Sequence, residues 1–240
     1  MSRPPVRTCL VLGRRGVYRA QCMQCSDHAT ARPQSRRHHP VKFVLVRHGA
    51  TEWSVSGRHT GTTDLPLTGD GEAQARRAGN AIRAVLGDEF DTAPIFASPR
   101  LRATATAAIL FGPSRAITID EDLREFEYGA YEGLTSAQIS ALDPGWDLWS
   151  DGCPDGETAE MVGRRCDRFL VAAAHGGPTV VAVAHGHLLR ILAARAVGLN
   201  ANDGAIFTLD TATISVVEDV KGKRVVRLWN LDPALRTVEW

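Results

Sequence analysis

Short continuous runs of apolar residues recur along this 240-residue chain, separated by longer segments in which apolar positions follow a helical spacing. The short runs are rich in β-branched residues, a pattern typical of strands that helices cover on both faces. Each run is followed at once by polar side chains, so each predicts a buried strand with functional groups at its carboxyl end. Three such runs occupy residues 41–46, 93–97 and 179–184.

The longer segments predict helices. The first of them is expected to begin after Thr68, whose hydroxyl can cap the free backbone N–H groups of the first turn. Residues 188–197 are apolar on nearly all sides and predict a buried helix. Two apolar faces with helical spacing consist of Ala75, Ala78, Ile82, Val85 and Leu86, and of Met161, Val162, Cys166, Phe169, Leu170 and Ala173.

The last part of the chain predicts a hairpin at one edge of the sheet. Apolar runs at 212–217 and 225–229 flank the turn Lys221-Gly222-Lys223. Strands that alternate with helices indicate the α/β class. We therefore expect one domain, residues 41–240, built as a three-layer αβα sandwich around a mixed, mostly parallel sheet. No apolar run reaches the roughly 20 residues that a membrane span requires.

Chemically active side chains follow the three predicted strands, and a loop between the second and third adds glutamates. The carboxyl ends of parallel strands meet at one edge of a sheet, which is where open α/β folds bind ligands. The four segments are Arg47-His48-Gly49, Ser98-Pro99-Arg100-Leu101-Arg102-Ala103, Leu123-Arg124-Glu125-Phe126-Glu127-Tyr128-Gly129 and His185-Gly186-His187.

In this order and at these spacings, the four segments resemble the histidine phosphatase superfamily, which contains the cofactor-dependent phosphoglycerate mutases and many acid phosphatases. The resemblance covers about residues 41 to 230. Arg-His-Gly alone arises by chance in many unrelated proteins. The resemblance is specific because four separate motifs agree here. It implies a phosphoglycerate mutase-like fold and phosphoryl transfer through a phosphohistidine intermediate.

Two arginines are expected to hold the transferred phosphoryl group. Phosphoryl transfer places negative charge on three equatorial oxygens, and a planar guanidinium can bind two such oxygens at once while it stays charged. Arg47 is the first of these arginines. The family pattern, in which three residues separate Ser from Arg-Ala, selects Arg102 over Arg100 as the second. Arg100 is expected at a helix start, facing solvent or the rim of the site.

The resemblance makes His48 the nucleophile and His185 a donor to the phosphoryl group from the opposite side. The attacking nitrogen of His48 must be unprotonated, and neighbouring arginines lower an imidazole pKa from its reference value of about 6.5 because like charge disfavours imidazolium. A lone histidine at a strand end is more often structural. Two of them, each followed by glycine, favour catalysis. His187 is interpreted as a structural residue.

Glu125 matches the proton donor of the family. An alcohol leaving group needs a proton, and the same carboxyl group can later deprotonate the water that hydrolyses phosphohistidine. Glu127 is the second choice for this acid. Glu132 is interpreted as a loop or helix-start residue.

The substrate mouth is expected next to the first motif. The segment 57–61 resembles the Arg-x-x-Gly loop of the family, in which Thr60 and Gly61 would line the mouth and Arg58 would add a phosphate contact. For His59, a plain surface position is an equally good interpretation. The expected substrate-binding residues are Ser54, Arg58, Thr60, Gly61 and Gly186.

Departures from the mutase pattern favour the phosphatase branch. Mutases carry glutamate where this chain has Ala50 and asparagine where it has Ser54, and Phe126 replaces a cationic residue suited to the carboxylate of phosphoglycerate. The segment 154–158 is similar to a loop of the phosphatase branch. We expect a phosphomonoesterase for small phosphorylated metabolites. A cofactor-dependent phosphoglycerate mutase is the alternative, and a catalytically silent phospholigand-binding protein is a third hypothesis.

Residues 1–40 differ from the rest in composition. They contain eight arginines and one acidic residue, so their net charge of +7, against +1 for the whole chain, leaves residues 41–240 at −6. High charge and weak apolar periodicity predict a disordered extension, or extra sequence upstream of the true start. Nucleic-acid binding is an alternative role for this tail. A zinc site fits no common ligand spacing; its candidate ligands are Cys22, Cys25, His28, His38 and His39.

Other chemistries lack their residues. The chain has no Gly-x-x-x-x-Gly-Lys loop, no Gly-x-Ser-x-Gly elbow and no carboxylate–histidine cluster for a two-metal phosphatase, so neither a metal nor a cofactor is expected. The expected partner is a small phosphorylated substrate, without nucleic acid or membrane, and a homodimer is left open. Cys153 and Cys166 form no disulfide framework, which suits a cytoplasmic protein.

Overall fold

Residues 9–13, 16–20 and 41–234 are described by a computed structural model, in which the chain divides into two units, Met1–Arg37 and His38–Trp240. In the first unit, strands β1 (Cys9–Gly13) and β2 (Gly16–Ala20) pair antiparallel. The candidate zinc ligands lie outside the described residues. The interpretation of residues 1–40 as a disordered extension stays a prediction.

A six-stranded mixed sheet forms the centre of the second unit. Its order is β5-β4-β6-β3-β7-β8. The first four strands in this order run parallel, and the last two pairs are antiparallel. The strands are β3 (Lys42–Arg47), β4 (Ile95–Ala97), β5 (Ile117–Ile119), β6 (Thr179–Ala184), β7 (Ile214–Val220) and β8 (Lys223–Leu231).

Helices cover both faces of this sheet. Along β3, Phe43 and Leu45 point into one core, which they share with α6 (Ala159–Ala173) and α7 (Gly186–Ala196). Val44 and Val46 point into the other core, which they share with α2 (Gly69–Leu86) and α3 (Leu101–Phe111). This alternation follows from the period of two along a strand. The predicted three-layer αβα sandwich is confirmed. The helices are α1 (Glu52–Ser56), α2 (Gly69–Leu86), α3 (Leu101–Phe111), α4 (Ser136–Leu142), α5 (Leu148–Asp151), α6 (Ala159–Ala173) and α7 (Gly186–Ala196).

The local predictions hold with three differences. Thr68 caps α2 through its side chain, and the predicted edge hairpin is present with Lys221 and Gly222 at positive φ, as a tight two-residue turn requires. Met161 was placed on the buried face of α6 but is 42% exposed. Strand β5 was missed because its three residues are half-buried or exposed and carry no buried pattern. The hairpin strands are also longer than predicted.

Two glycines let the loop after β3 touch the start of α2. A Cβ on Gly49 would collide with the carbonyl oxygen of Gly71, and a Cβ on Gly71 would collide with the carbonyl oxygen of Ala50. Beside this contact, Thr68 N donates to Ala50 O at 2.9 Å, and Ala50 N donates to Gln74 Oε1 at 2.9 Å. The segment directly after His48 is therefore fixed by main-chain contact. Among the described residues, no helix is long and apolar enough to cross a membrane.

Candidate active site

Three neighbouring parallel strands, β4, β6 and β3, end side by side and deliver the predicted residues to one edge of the sheet. A cavity of about 220 Å³ opens there. Its lining contains seven of the ten predicted site residues; Arg102, His185 and Gly61 lie behind it. The predicted residues in the lining are Arg47, His48, Ser54, Arg58, Thr60, Glu125 and Gly186.

His48 is buried and held in one tautomer. Its Nδ1 lies 2.7 Å from the carbonyl oxygen of Gly49, which can only accept, so Nδ1 carries the proton and Nε2 keeps its lone pair. Burial, and then the positive charges of Arg47 and Arg102, hold the pKa of His48 well below its ordinary value of 6.5. The neutral form of the ring is therefore favoured, with its lone pair on Nε2.

Arg47 lies beside the first residue of α7. One Nη donates to the carbonyl oxygen of Leu209, while the buried Nε has no partner within the part of the chain that the structure describes. A Cβ on Gly186 would lie 3.3 Å from Arg47 Cζ, so this approach requires a residue without a large side chain. The guanidinium consequently keeps donor capacity for an anion in the cavity.

Arg102 and His185 form a buried layer behind the cavity. Arg102 is fully buried, and its Nη atoms donate to the carbonyl oxygens of Thr60, Gly61 and Thr63 at 2.9, 3.3 and 3.0 Å. Its Nε donates to His185 Nδ1 at 3.2 Å. Burial first, and then Arg102, lowers the pKa of His185 well below 6.5. Both residues therefore lie close to His48, and their side chains already form hydrogen bonds within the protein.

Glu125 projects from the loop after β5 to the start of α7. Its Oε1 accepts from the backbone N–H of Leu188 and of Phe126, both at 2.9 Å, and Oε2 accepts from His187 N at 3.2 Å. Free N–H groups at a helix start favour an acidic side chain in this position. Glu127 is not in the cavity lining; it lies 3.6 Å from Arg124 in an ion pair. Glu125 is thus the only carboxylate in the lining.

The rim loop, residues 57–63, is held from behind. Glu132 accepts from Gly61 N at 2.9 and 3.0 Å and from Thr63 N at 2.9 Å. Arg102 binds carbonyl oxygens of the same loop, so opposite charges hold its donors and its acceptors. Glu132, interpreted from the sequence as a loop residue, therefore anchors this wall of the cavity. Ser54 caps α1 by bonding to Thr51 and still reaches the lining.

One wall of the cavity consists of residues that the sequence did not predict as part of the site. His187, interpreted as structural, lines the cavity together with His59, and their rings stack with centroids 6.0 Å apart. The hydroxyl of Tyr128 lies 2.6 Å from His187 Nδ1. Burial raises the pKa of Tyr128 well above 10.0 and lowers that of His187 well below 6.5, so a neutral hydroxyl and a neutral ring share this hydrogen bond.

Arg190 completes this wall. Its guanidinium carbon lies 4.4 Å from the ring centroid of Trp149, and its Nε and Nη2 donate to the carbonyl oxygens of Gly204 and Ala205 at 3.1 and 3.2 Å. One signal could have found it. Arg190 follows Gly186 by four positions, a spacing that places both residues on one face once the helix is known to begin at Gly186. The remaining lining residues are Gly57, Ser136 and Leu209.

The donor set of the cavity suits an anion. No group of three His, Cys, Asp or Glu side chains that could hold a metal ion occurs in the described ranges. The cavity lining contains three arginines against one carboxylate. Guanidinium groups and neutral histidine donors together are the groups that bind phosphate oxygens.

Comparison with known proteins agrees with this geometry. An acid phosphatase of Mycobacterium tuberculosis is 37% identical over 196 residues, which are 79% of this chain and 92% of that protein. A sedoheptulose 1,7-bisphosphatase of Saccharomyces cerevisiae is 38% identical over 186 residues, 66% of this chain and 68% of that protein. A phosphoglycerate mutase of Rhizobium etli, at 32% identity, covers 62% of this chain and 77% of its own length.

The fold is shared with solved structures. The product of an open reading frame of Mycobacterium tuberculosis superposes with a TM-score of 0.74 at 36% identity, over 80% of this chain and 98% of that one. The sequence profile of the histidine phosphatase superfamily (branch 1) matches residues 43–232, a range that includes all four motifs. This chain is therefore a member of branch 1 of the histidine phosphatase superfamily, which confirms the resemblance seen in its motifs.

Proposed function

We propose that this protein is a phosphomonoesterase that hydrolyses small phosphorylated metabolites through a phosphohistidine on His48. The observation that carries the proposal is the tautomer of His48. A proton bound to Nδ1 by the Gly49 carbonyl leaves the lone pair on Nε2, in a cavity that also contains Arg47 and Glu125. Nucleophile, anion donor and acid are thereby present in one lining, as covalent phosphoryl transfer requires.

The reaction runs in two steps. In the first, Nε2 of His48 attacks phosphorus, the ester P–O bond breaks, and Glu125 gives its proton to the leaving alcohol. In the second, Glu125 takes a proton from water, whose oxygen attacks phosphorus; the P–N bond breaks and inorganic phosphate leaves. Acid and base roles alternate on the same carboxyl group, so Glu125 returns to its starting state.

The charge that develops on the phosphoryl oxygens is opposed by cations and donors. Arg47 has free donor capacity at the cavity wall. Arg102 acts from behind as a fixed positive charge, because its Nε and Nη atoms already bond within the protein. His185 would reach a phosphoryl oxygen by exchanging its present partner, the Ser98 hydroxyl 2.7 Å away, for that oxygen.

The cavity favours small, strongly anionic esters. Its volume of about 220 Å³ lies below the roughly 300–1,000 Å³ of drug-sized ligand sites. Besides Arg47, the lining adds the cations Arg58 and Arg190. The relatives include an acid phosphatase and a sedoheptulose 1,7-bisphosphatase. These observations support a small phosphate ester and leave the identity of its alcohol to experiment.

Hydrolysis is favoured over mutase activity by the position of Phe126. The mutase pattern has a cation at this position to hold the substrate carboxylate. Phe126 carries no charge, is fully buried in the core and is not part of the lining. We place the protein in the cytoplasm. We expect it to act without a metal, because the described residues contain no group of three His, Cys, Asp or Glu side chains placed to hold an ion. The one protein partner that we propose is a second copy of the chain.

The test is phosphate release from a panel of phosphate esters in EDTA, for the wild type and for His48→Ala. We expect turnover in EDTA that His48→Ala abolishes, together with acid-labile phosphate bound to quenched wild-type enzyme. Loss of turnover in EDTA that added metal restores would refute the metal-free mechanism. Isomerisation of phosphoglycerate that depends on 2,3-bisphosphoglycerate, with no net hydrolysis, would establish the mutase. Binding of phosphate esters without either reaction would establish a silent binding protein.

A further inference from the structure

A buried ion pair lies behind the loop that carries Glu125. Arg165 of α6 and Glu157, which precedes that helix, are 3% and 7% exposed. Arg165 Nε donates to Glu157 Oε1 at 3.0 Å, and its Nη2 donates to Glu157 Oε2 at 2.9 Å. Neither residue is in the cavity lining. The pair is therefore well formed and removed from the reacting atoms.

The remaining side-chain bonds of this pair all go to the backbone of one segment, residues 122–127. Arg165 donates to the carbonyl oxygens of Asp122, Arg124 and Glu125, the last at 3.1 Å. Glu157 Oε2 accepts from Glu127 N at 3.0 Å, and Glu157 N donates to the carbonyl oxygen of Glu127 at 2.8 Å. The main chain on both sides of Glu125 is thus held by one arginine–glutamate pair.

Most of this segment lies outside regular secondary structure. Residues 124–128 belong to neither a helix nor a strand. Buried backbone groups need hydrogen-bond partners, and here the ion pair supplies them. A buried ion pair is weak evidence for stability, because desolvation of two charges offsets their attraction, so its retention calls for another reason.

We propose that Arg165 and Glu157 are positioning residues for proton transfer by Glu125. They hold the main chain of Glu125 in a position from which its carboxyl group reaches both the start of α7 and the cavity. A shift of about 1 Å in a reacting group is enough to lower a rate on the order of 100-fold. The inference rests on the proposed role of Glu125 as acid, and the experiment separates the two.

The experiment uses the chemistry of the leaving group. An alkyl alcohol needs a proton as it leaves, whereas 2,4-dinitrophenolate does not. We compare kcat/KM for glycerol 2-phosphate and for 2,4-dinitrophenyl phosphate, since this ratio reports phosphoryl transfer to the enzyme. For Glu125→Gln we expect a loss of roughly 100-fold or more with the alkyl ester and a much smaller loss with the aryl ester.

Glu157→Gln tests the positioning role, because it preserves shape and removes the charge. We expect a roughly tenfold loss with the alkyl ester and little loss with the aryl ester. In the Glu125→Gln background, the same substitution should cost nothing further, as expected for residues that act in one unit. Arg165→Lys repeats the measurement if Glu157→Gln does not fold.

The matched control is a second arginine–glutamate pair, which contains the residue directly before Arg165. Arg164 and Glu160 form an exposed pair on α6, with Nη1 3.0 Å from Oε1, and touch no part of the Glu125 loop. Glu160→Gln should leave both substrates unchanged. An equal loss with both esters in Glu157→Gln, or an undiminished loss in the Glu125→Gln background, would overturn the positioning role. An equal loss with both esters in Glu125→Gln itself would overturn the acid assignment and this inference with it.

Discussion

Arg102 donates from Nε to Nδ1 of His185 across 3.2 Å and thereby fixes the tautomer of that histidine. With its lone pair on Nδ1 engaged, His185 carries its proton on Nε2 and donates to the hydroxyl of Ser98 at 2.7 Å. His48 has the opposite arrangement, with its proton on Nδ1. The two rings lie 5.2 Å apart between centroids. The Nε2 atom of His48 thus carries a lone pair, whereas the Nε2 atom of His185 carries a proton.

The first prediction concerns these tautomers and the charge of both rings. Burial together with neighbouring cations lowers both pKa values below 6.5, so protonation of either ring occurs only at a pH lower than in an exposed histidine. Ring ¹⁵N spectra at pH 6.5 should show both histidines neutral, with the proton on Nδ1 of His48 and on Nε2 of His185. Imidazolium shifts for His48 at this pH would contradict the assignment.

The second prediction is that His48→Ala removes activity and leaves the fold intact. Nδ1 makes a single bond, to a carbonyl next in sequence, so truncation leaves little unpaired. We expect a loss of roughly 10³-fold or more in kcat, as for other covalent nucleophiles, and a free energy of unfolding within about 1 kcal/mol of the wild type. His175→Ala, at an exposed histidine, serves as the control and should leave both quantities unchanged.

The third prediction is that His185→Ala lowers stability as well as activity. Its loss leaves Arg102 Nε without a partner and leaves the buried Ser98 hydroxyl with only the N–H of Arg100. An unsatisfied buried polar group costs about 1–3 kcal/mol, so urea unfolding should show a drop of at least that size. A variant as stable as His48→Ala would mean that the bonds of His185 are not needed by the fold.

The fourth prediction concerns the contact between the loop after β3 and α2. In Gly71→Ala the new Cβ would meet the carbonyl oxygen of Ala50, and neither main chain can move freely. We expect a loss of roughly 1–3 kcal/mol in stability and a lower kcat, since the contact fixes the segment after His48. Gly69→Ala is the matched control on the same helix, because nothing lies within 4 Å of its Cβ. Equal unfolding free energies for the two variants would show that the contact can relax.

The sequence was sufficient for the parts of the site that follow from chain direction. Arg47 and His48 could be placed in the cavity because motifs at the ends of parallel strands converge, and Glu125 because its motif resembles the proton-donor motif of the family. It was not sufficient for Arg102 and His185, whose positions behind the wall depend on carbonyl groups about 40 residues earlier and on a serine 87 residues away. Periodicity likewise placed α6 correctly but could not show that Met161 faces solvent.

The pair of contacts that anchors the rim loop has a consequence for how substrate range can change. Glu132 and Arg102 bind only main-chain atoms of this loop, at positions 60, 61 and 63. Gly61 cannot vary, because a Cβ there would strike the carbonyl oxygen of Phe126. Arg58, His59 and Thr60 line the cavity, and their side chains are not part of that anchor. A combinatorial library at these three positions should therefore alter selectivity for the alcohol while most of its members still fold.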